Sequence, residues 1–307
     1  MGAEVAQISI AWSDHEGPRV ARKAGFDIIH CEMCGFRHAV PLPRATELAR
    51  TYREVAYADD APAVPAADDP PWQEIAQQDR LECLERVLGP GRRRLLDVGC
   101  GPGHFLKTAR TRGWRAIGIE PSRRAAAQAR NAGLEVVEGF FGPEVAAGLG
   151  RFDAISLSHV LERVADPVGV LIAAREILEP GGALCVTVPN DFSPFQIAAA
   201  ATAATGEWWL ALPQHLNYFD FATLVNLLER LDFAVAEKTT SFPMEAFLLM
   251  GDNYRADPAV GRACHNRRKR FDLALDSAGL KEARRSFYRA LAETGIGRDA
   301  IVIAVKP

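Results

Sequence analysis

The stretch Leu95-Leu96-Asp97-Val98-Gly99-Cys100-Gly101-Pro102-Gly103-His104-Phe105-Leu106 constrains this chain more than any other. An apolar run of strand length meets three alternate glycines, and helix-forming residues follow at once. That order dictates a buried strand, a tight turn whose bare backbone can approach a ligand, and the start of a helix. Downstream, Ile117-Gly118-Ile119-Glu120 reads as a second strand ending in a carboxylate, placed to accept hydrogen bonds from ribose hydroxyls. The layout predicts an adenosine-containing cofactor.

Two cofactor classes use such a layout, and the glycine spacing separates them. A dinucleotide fold requires G-x-G-x-x-G, with pyrophosphate on the helix N-terminus. Here Gly99 and Gly101 fit, but His104 stands where the third glycine belongs and Gly103 comes one residue early. This spacing disfavours a nicotinamide dehydrogenase. The D-x-G-x-G-x-G core formed by Asp97, Gly99, Gly101 and Gly103 resembles motif I of the class I S-adenosylmethionine (SAM)-dependent methyltransferases. The resemblance implies a glycine turn against the methionyl part of SAM and Glu120 on the ribose diol. It implies further cofactor contacts from Cys100, Pro121, Phe140, Ser158 and His159.

Three more segments carry the same resemblance. Phe152-Asp153 followed by His159-Val160-Leu161-Glu162-Arg163-Val164 and Asp166-Pro167 is similar to the FD-x6-VLEHV-x-DP stretch of the small-molecule branch. Arg163 replaces the usual histidine there. Leu178-Glu179-Pro180-Gly181-Gly182 is a helix stop and turn before a buried fifth strand, similar to the family's L-x-PGG. Pro213-Gln214-His215-Leu216-Asn217-Tyr218-Phe219 resembles the P-x-HL-x-YF segment after strand five. Together the matches run over roughly residues 72 to 243.

Periodicity places strands near residues 93–99, 115–120, 134–138, 152–158 and 183–188, with helices between them. The expected fold is α/β, a doubly wound, Rossmann-like sheet with helices on both faces. A helix near 220–231, a strand near 234–241 and a last strand at 300–305 complete seven strands, mostly parallel. The resemblance implies that the last strand inserts antiparallel beside the sixth. Residues 1–57 form a first segment, 58–71 a proline-rich linker, and 72–307 the SAM-binding domain with a helical insertion at 244–298. No internal repeat is present.

A length of 307 residues with 48% hydrophobic content supports a sizeable core. The net charge of -3 leaves no footprint for nonspecific nucleic-acid binding. The fourth strand also lacks the [DN]-P-P-[YF] element and the Pro-Cys nucleophile expected of DNA base methylation. No apolar run has the length of a membrane span, and Glu4 and Asp14 near the start argue against a secretory signal. Six cysteines read as reduced thiols, so the expected location is cytoplasmic. Monomer and homodimer both stay open.

Cys31-x2-Cys34 followed by Gly35-Phe36 looks like one zinc knuckle, in which a turn aims two thiolates at one metal. It resembles the zinc-binding segment found ahead of some small-molecule methyltransferases, with the first cysteine pair missing. His15, His30 and His38 are candidates to complete a Cys2His2 site; a metal-free knuckle packed as a lid is the other reading.

Methyl transfer is an in-line displacement, so the protein mainly supplies alignment and a base for the acceptor. Histidine suits that base by its ordinary pKa. By the resemblance, His215 lies at the acceptor mouth with Tyr218 close behind it, and His159 follows the fourth strand into the same cleft; His104 is a weaker candidate. Glu162 reads as a loop or helix-start residue and Asp153 as an orienting group for the strand-four backbone. Phe192, Phe195, Trp208 and Trp209 either wall an acceptor pocket or pack as core. The run His265-Asn266-Arg267-Arg268-Lys269-Arg270 is either a solvated helix face or a clamp for an anionic acceptor, and Asp252, Asn253 and Tyr254 are candidate lid residues. The expected reaction is methylation of a small molecule, a sugar, nucleotide sugar or natural-product intermediate, at oxygen first and at carbon or nitrogen next. A noncatalytic SAM-binding module is the alternative.

Overall fold

The computed structural model describes residues 15–42, 70–203 and 205–307. Most of the expected linker, along with Glu4 and Asp14, lies outside the described residues. Pro70 and Pro71 belong instead to a helix, α1 (Pro70–Leu88), where proline's missing N–H costs nothing in the first turn.

Three short strands, β1 (Arg19–Lys23), β2 (Phe26–His30) and β3 (Arg37–Val40), open the described chain. After α1 come β4 (Arg94–Val98), α2 (His104–Thr111), β5 (Arg115–Glu120), α3 (Arg123–Asn131), β6 (Glu135–Glu138), α4 (Pro143–Ala147), β7 (Phe152–Ser158), α5 (Pro167–Ile177) and β8 (Leu178–Pro189). The second half holds α6 (Pro194–Thr202), β9 (Asn217–Tyr218), α7 (Phe221–Arg230) and β10 (Ala234–Thr239). The insertion forms α8 (Glu245–Leu249), α9 (Pro258–Ser277) and α10 (Lys281–Glu293), and β11 (Asp299–Val305) closes the chain.

The main sheet has seven strands in the order β10-β11-β8-β7-β4-β5-β6. Strands β8, β7, β4, β5 and β6 run parallel, and β11 lies antiparallel between β10 and β8, with Asp299 opposite Pro189 and Val305 opposite Ala183. The central strands read as unbroken apolar runs because both faces are covered. Leu95, Leu96, Ala154, Ile155, Leu157, Ala183, Leu184, Val186 and Val188 are fully buried. Strand β8 begins earlier than expected: Leu178 already pairs with Phe152, and a register shift before Ala183 absorbs the Pro-Gly-Gly turn.

Local chemistry ends the elements where the sequence says it should. Asp166 caps α5 by accepting from Gly169 N at 2.8 Å, with Pro167 next in line. Asp220 and Thr223 form a reciprocal capping box on α7. Asp153 accepts from the backbone N–H of Arg93 and Arg94, and so holds the entry to β4.

Periodicity did not reveal the second sheet. Its order is β1-β2-β3-β9, so the N-terminal strands pair with residues far downstream. Arg37 faces Tyr218 and His38 faces Asn217. Phe192, Trp209 and Tyr218 pack edge to face, and Trp209 and Tyr218 cluster with Ile28 and Ala39 of the small sheet. Phe192, Trp208 and Trp209 therefore pack as core against the N-terminal strands. All six cysteines are free. Among the described residues no helix is long and apolar enough to cross a membrane.

Candidate active site

Strand order reverses beside β4, which has β5 on one side and β7 on the other. In open α/β sheets a crevice forms outside the carboxyl ends of the strands at such a point. The glycine turn leaves β4 there. Gly99, Gly101 and Gly103 all have left-handed backbones, with φ of 72°, 54° and 85°. A Cβ on Gly103 would come within 2.3 Å of Leu134 Cδ1, so this position needs glycine for space as well as for conformation. Gly103 sits immediately before α2, whose first residue, His104, is exposed.

Glu120 ends β5 with 4% exposure and accepts from Gly101 N at 2.8 Å and Ser122 N at 2.7 Å. Burial raises its pKa against those two amide bonds. A carboxylate offers about four acceptor positions, so two stay available for a ribose diol. Asp97 is buried beneath the turn, and burial pushes its carboxyl up to about 7 despite the nearby Arg80 charge. Cys100 Sγ donates to Gly101 O. Pro121 follows Glu120 at the strand end, and Phe140, 37% exposed, stands just beyond β6 on the same edge. These residues fit an adenosyl ligand: an acidic ribose receptor, a Cβ-free turn and an exposed ring share one edge.

Sequence reasoning missed Arg80. Its guanidinium crosses from α1 to donate to Ser158 Oγ at 2.9 Å and lies 4.8 Å over the Phe105 ring. The only hint in the sequence is one cation beside a buried leucine of an amphipathic helix.

At the carboxyl end of β7, His159 takes a left-handed backbone (φ 56°) while its N–H bonds Thr187 O. Its Nδ1 lies 3.8 Å from Glu162 Oε1. Glu162 is fully buried, and Arg163 Nε donates to the same oxygen at 3.1 Å. Glu162 lies in the turn after β7, as expected of a loop residue; its Oε1 faces His159 and Arg163, and its Oε2 has no hydrogen-bond partner among the described residues. Burial first, then the guanidinium charges of Arg163 and Arg298, push the pKa of His215 down to about 3, so the imidazole is neutral. The His215 Nδ1 has no hydrogen-bond partner among the described residues. Tyr218 is fully buried and donates to His215 O at 3.0 Å, so its phenol supports the His215 backbone and does not reach the cleft.

Asp191, also unforeseen, follows β8 by two residues, is 2% exposed, and has an Oδ2 without a hydrogen-bond partner among the described residues. Burial pushes it up to about 8, with Arg298 opposing and Glu162 and Glu245 reinforcing the shift. Its only sequence signal was its place just past a parallel strand's carboxyl end. Arg298 bonds Glu245 at 3.0 Å, and Tyr254 faces both of these side chains. Within the HNRRKR run, Arg267 pairs with Asp252, Arg268 lies over Trp72, and Lys269 is buried.

Residues 72–238 match the family model described as a methyltransferase domain, more than half of the chain. The chain belongs to the class I SAM-dependent methyltransferases. The ubiquinone biosynthesis O-methyltransferase of Cereibacter sphaeroides is 35% identical over 130 residues, 40% of this chain and 51% of that protein. The protein of the same name from Xanthomonas axonopodis pv. citri is 31% identical over 148 residues, 46% of this chain and 60% of its own length. The chain therefore spans roughly half the length of the curated relatives it matches. A SAM-dependent methyltransferase from Archaeoglobus fulgidus shares the fold with a TM-score of 0.51 at 18% identity, over 78% of this chain and 95% of that one.

Proposed function

We propose that this protein transfers the methyl group of SAM to a hydroxyl oxygen of a small-molecule acceptor. The observation that carries the reading is the pairing of His159 with the buried Glu162 at the end of β7, next to the glycine turn of β4. In this reading Gly99, Gly101 and Gly103 line the methionyl part, Glu120 receives the ribose diol, Phe140 and Pro121 flank the adenine, and Arg80 beside Ser158 receives the methionyl carboxylate. Bound SAM supplies an activated methyl on a sulfonium, and SAH is what leaves.

His159 takes the acceptor proton as the oxygen attacks, and the resulting imidazolium is held by the Glu162 carboxylate, the usual logic of a base oriented by a buried acid. His215, neutral and half-buried, positions the acceptor by a hydrogen bond at Nδ1. Asp191 and Tyr254 add polar contacts that suit a hydroxyl-rich molecule, and Arg163 at the mouth suits one that carries an anionic group. Support for oxygen as the methylated atom comes from relatives named as O-methyltransferases.

A coupled assay for SAH release tests the proposal, run on a panel of sugars, nucleotide sugars and phenols with and without a free hydroxyl. SAH release that requires the hydroxyl supports it. Firm SAM binding with no release above background on any acceptor would favour a noncatalytic SAM-binding module.

A further inference from the structure

We propose that His15, Cys31, Cys34 and His38 form a structural zinc site that fastens the N-terminal strands to the acceptor side of the cleft. Their ligand atoms all lie within 4.8 Å of one another. His15 Nδ1 is 3.2 Å from Cys34 Sγ, 3.6 Å from Cys31 Sγ and 3.2 Å from His38 Nε2. Tetrahedral zinc with Zn–N and Zn–S bonds of the usual length requires ligand-to-ligand edges of about 3.3–3.8 Å. The three edges from His15 match that tetrahedron closely and the remaining ones stay within 4.8 Å, and two thiolates with two imidazoles suit zinc's borderline softness.

The backbone explains how they meet. Cys31 and Cys34 close the β2–β3 hairpin as a knuckle: Cys34 N donates to Cys31 Sγ at 3.4 Å, Gly35 N to Cys31 O at 2.9 Å, and Gly35 turns with φ 76°. His38 is fully buried, and its Nδ1 lies 3.1 Å from Ala39 O, which leaves Nε2 aimed at the cluster. Such a carbonyl partner is the usual means of fixing a ligating imidazole. His15 is brought in by Gly17, where an added Cβ would come 2.0 Å from His30 O. Only glycine lets this segment lie so close on the His30–Cys31 backbone. Of the three candidate histidines, the fold gathers His15 and His38; His30 ends β2 outside the group.

The site is tied to the catalytic body at several points. Arg230 of α7 donates to Cys34 O at 2.7 Å and Met33 O at 3.0 Å, placing a cation beside the knuckle. His38 pairs in register with Asn217, whose Nδ2 donates to Leu161 O at 2.8 Å and Val164 O at 2.7 Å. The backbone N–H groups of Leu216 and Asn217 both donate to Glu162 O. Metal binding at the knuckle therefore fixes β3, β3 fixes β9, and β9 holds the loop that carries Glu162. The ligand assignment stands on geometry alone; the consequence for acceptor binding rests on the function proposed above.

The test uses the full chain, purified under reducing conditions with zinc present. Native mass spectrometry should show one zinc per chain, retained in His30→Ala and lost in Cys31→Ser/Cys34→Ser and in His38→Ala. Cobalt exchanged into the wild type should give the visible bands of tetrahedral, thiolate-ligated cobalt. Should the cysteine variant fail to fold, chelation of the wild type followed by hydrogen exchange serves in its place: protection should fall at residues 26–40 and 216–218 and hold at 95–120, with SAH binding retained. Zinc-free protein with two reactive thiols at Cys31 and Cys34, a Cys31–Cys34 disulfide, zinc that survives the double substitution, or equal loss of protection throughout would each overturn the proposal. None of these readouts depends on methyl transfer.

Discussion

Replacing Glu120 by alanine separates the cofactor reading from a merely structural one. The carboxylate holds Gly101 N and Ser122 N in the ligand-free protein, and those two bonds are present with or without cofactor. Their loss lowers stability but largely cancels in binding. The two ribose bonds exist only in the complex, and a hydrogen bond to a charged group contributes about 1.5–3 kcal/mol. Because the side-chain space opens to water in the variant, the lower end applies, about 3 kcal/mol in total. At 1.4 kcal/mol per decade this raises the Kd for SAH by about 100-fold. Isothermal titration calorimetry with SAH is the assay, with Glu162→Gln as the comparison. Glu162 lies under the acceptor loop, and its variant should bind SAH within about threefold of wild type, under 1 kcal/mol. A Glu120→Ala protein that binds SAH as tightly as the wild type, or two variants with equal losses, would refute the placement of the ribose.

His159→Ala should lower kcat by about 10²–10⁴, the usual contribution of a positioned base, with SAH affinity unchanged. His215→Ala should raise KM for the acceptor more than it lowers kcat, and a loss of SAH binding in either variant would move that histidine into the cofactor site. Asp191 has its folded pKa raised from the ordinary 3.8 to about 8, so the folded state retains a proton that the unfolded chain has released, and stability falls as pH rises between those values. Asp191→Asn should flatten that fall in a series of melting curves from pH 5 to pH 8, and an unchanged slope would contradict the burial argument. Gly103→Ala should cost about 1–2 kcal/mol for a left-handed alanine, with more for the contact at Leu134, read as a lower urea midpoint; an unaltered midpoint would show that the turn tolerates a side chain.

The parallel core was legible because burial on both faces leaves unbroken apolar runs, as in Leu95-Leu96 and Ala183–Val188, and because glycine, proline and Asp166 mark where such runs stop. The glycine turn and Glu120 were legible for the same reason: their chemistry is local. What stayed hidden depends on contacts distant in the chain. Nothing in Arg37-His38 announces a pairing with Asn217-Tyr218, and nothing in Arg80 announces Ser158. Asp191 and Glu162 look like ordinary polar loop residues until burial strips them of water. Tyr218 misled for a related reason, because its position in the P-x-HL-x-YF segment suggested the cleft while its hydroxyl turns back to His215 O. The basic run left two readings open by composition, and the partners of Arg267 and Arg268, Asp252 and the Trp72 ring, are visible only in the packed structure.

Native mass spectrometry of the full chain titrated separately with SAM, SAH and NAD tests the central claim most directly. The account predicts a saturable 1:1 adduct with SAM and with SAH and none with NAD. Saturable NAD binding without any SAM or SAH adduct would contradict it.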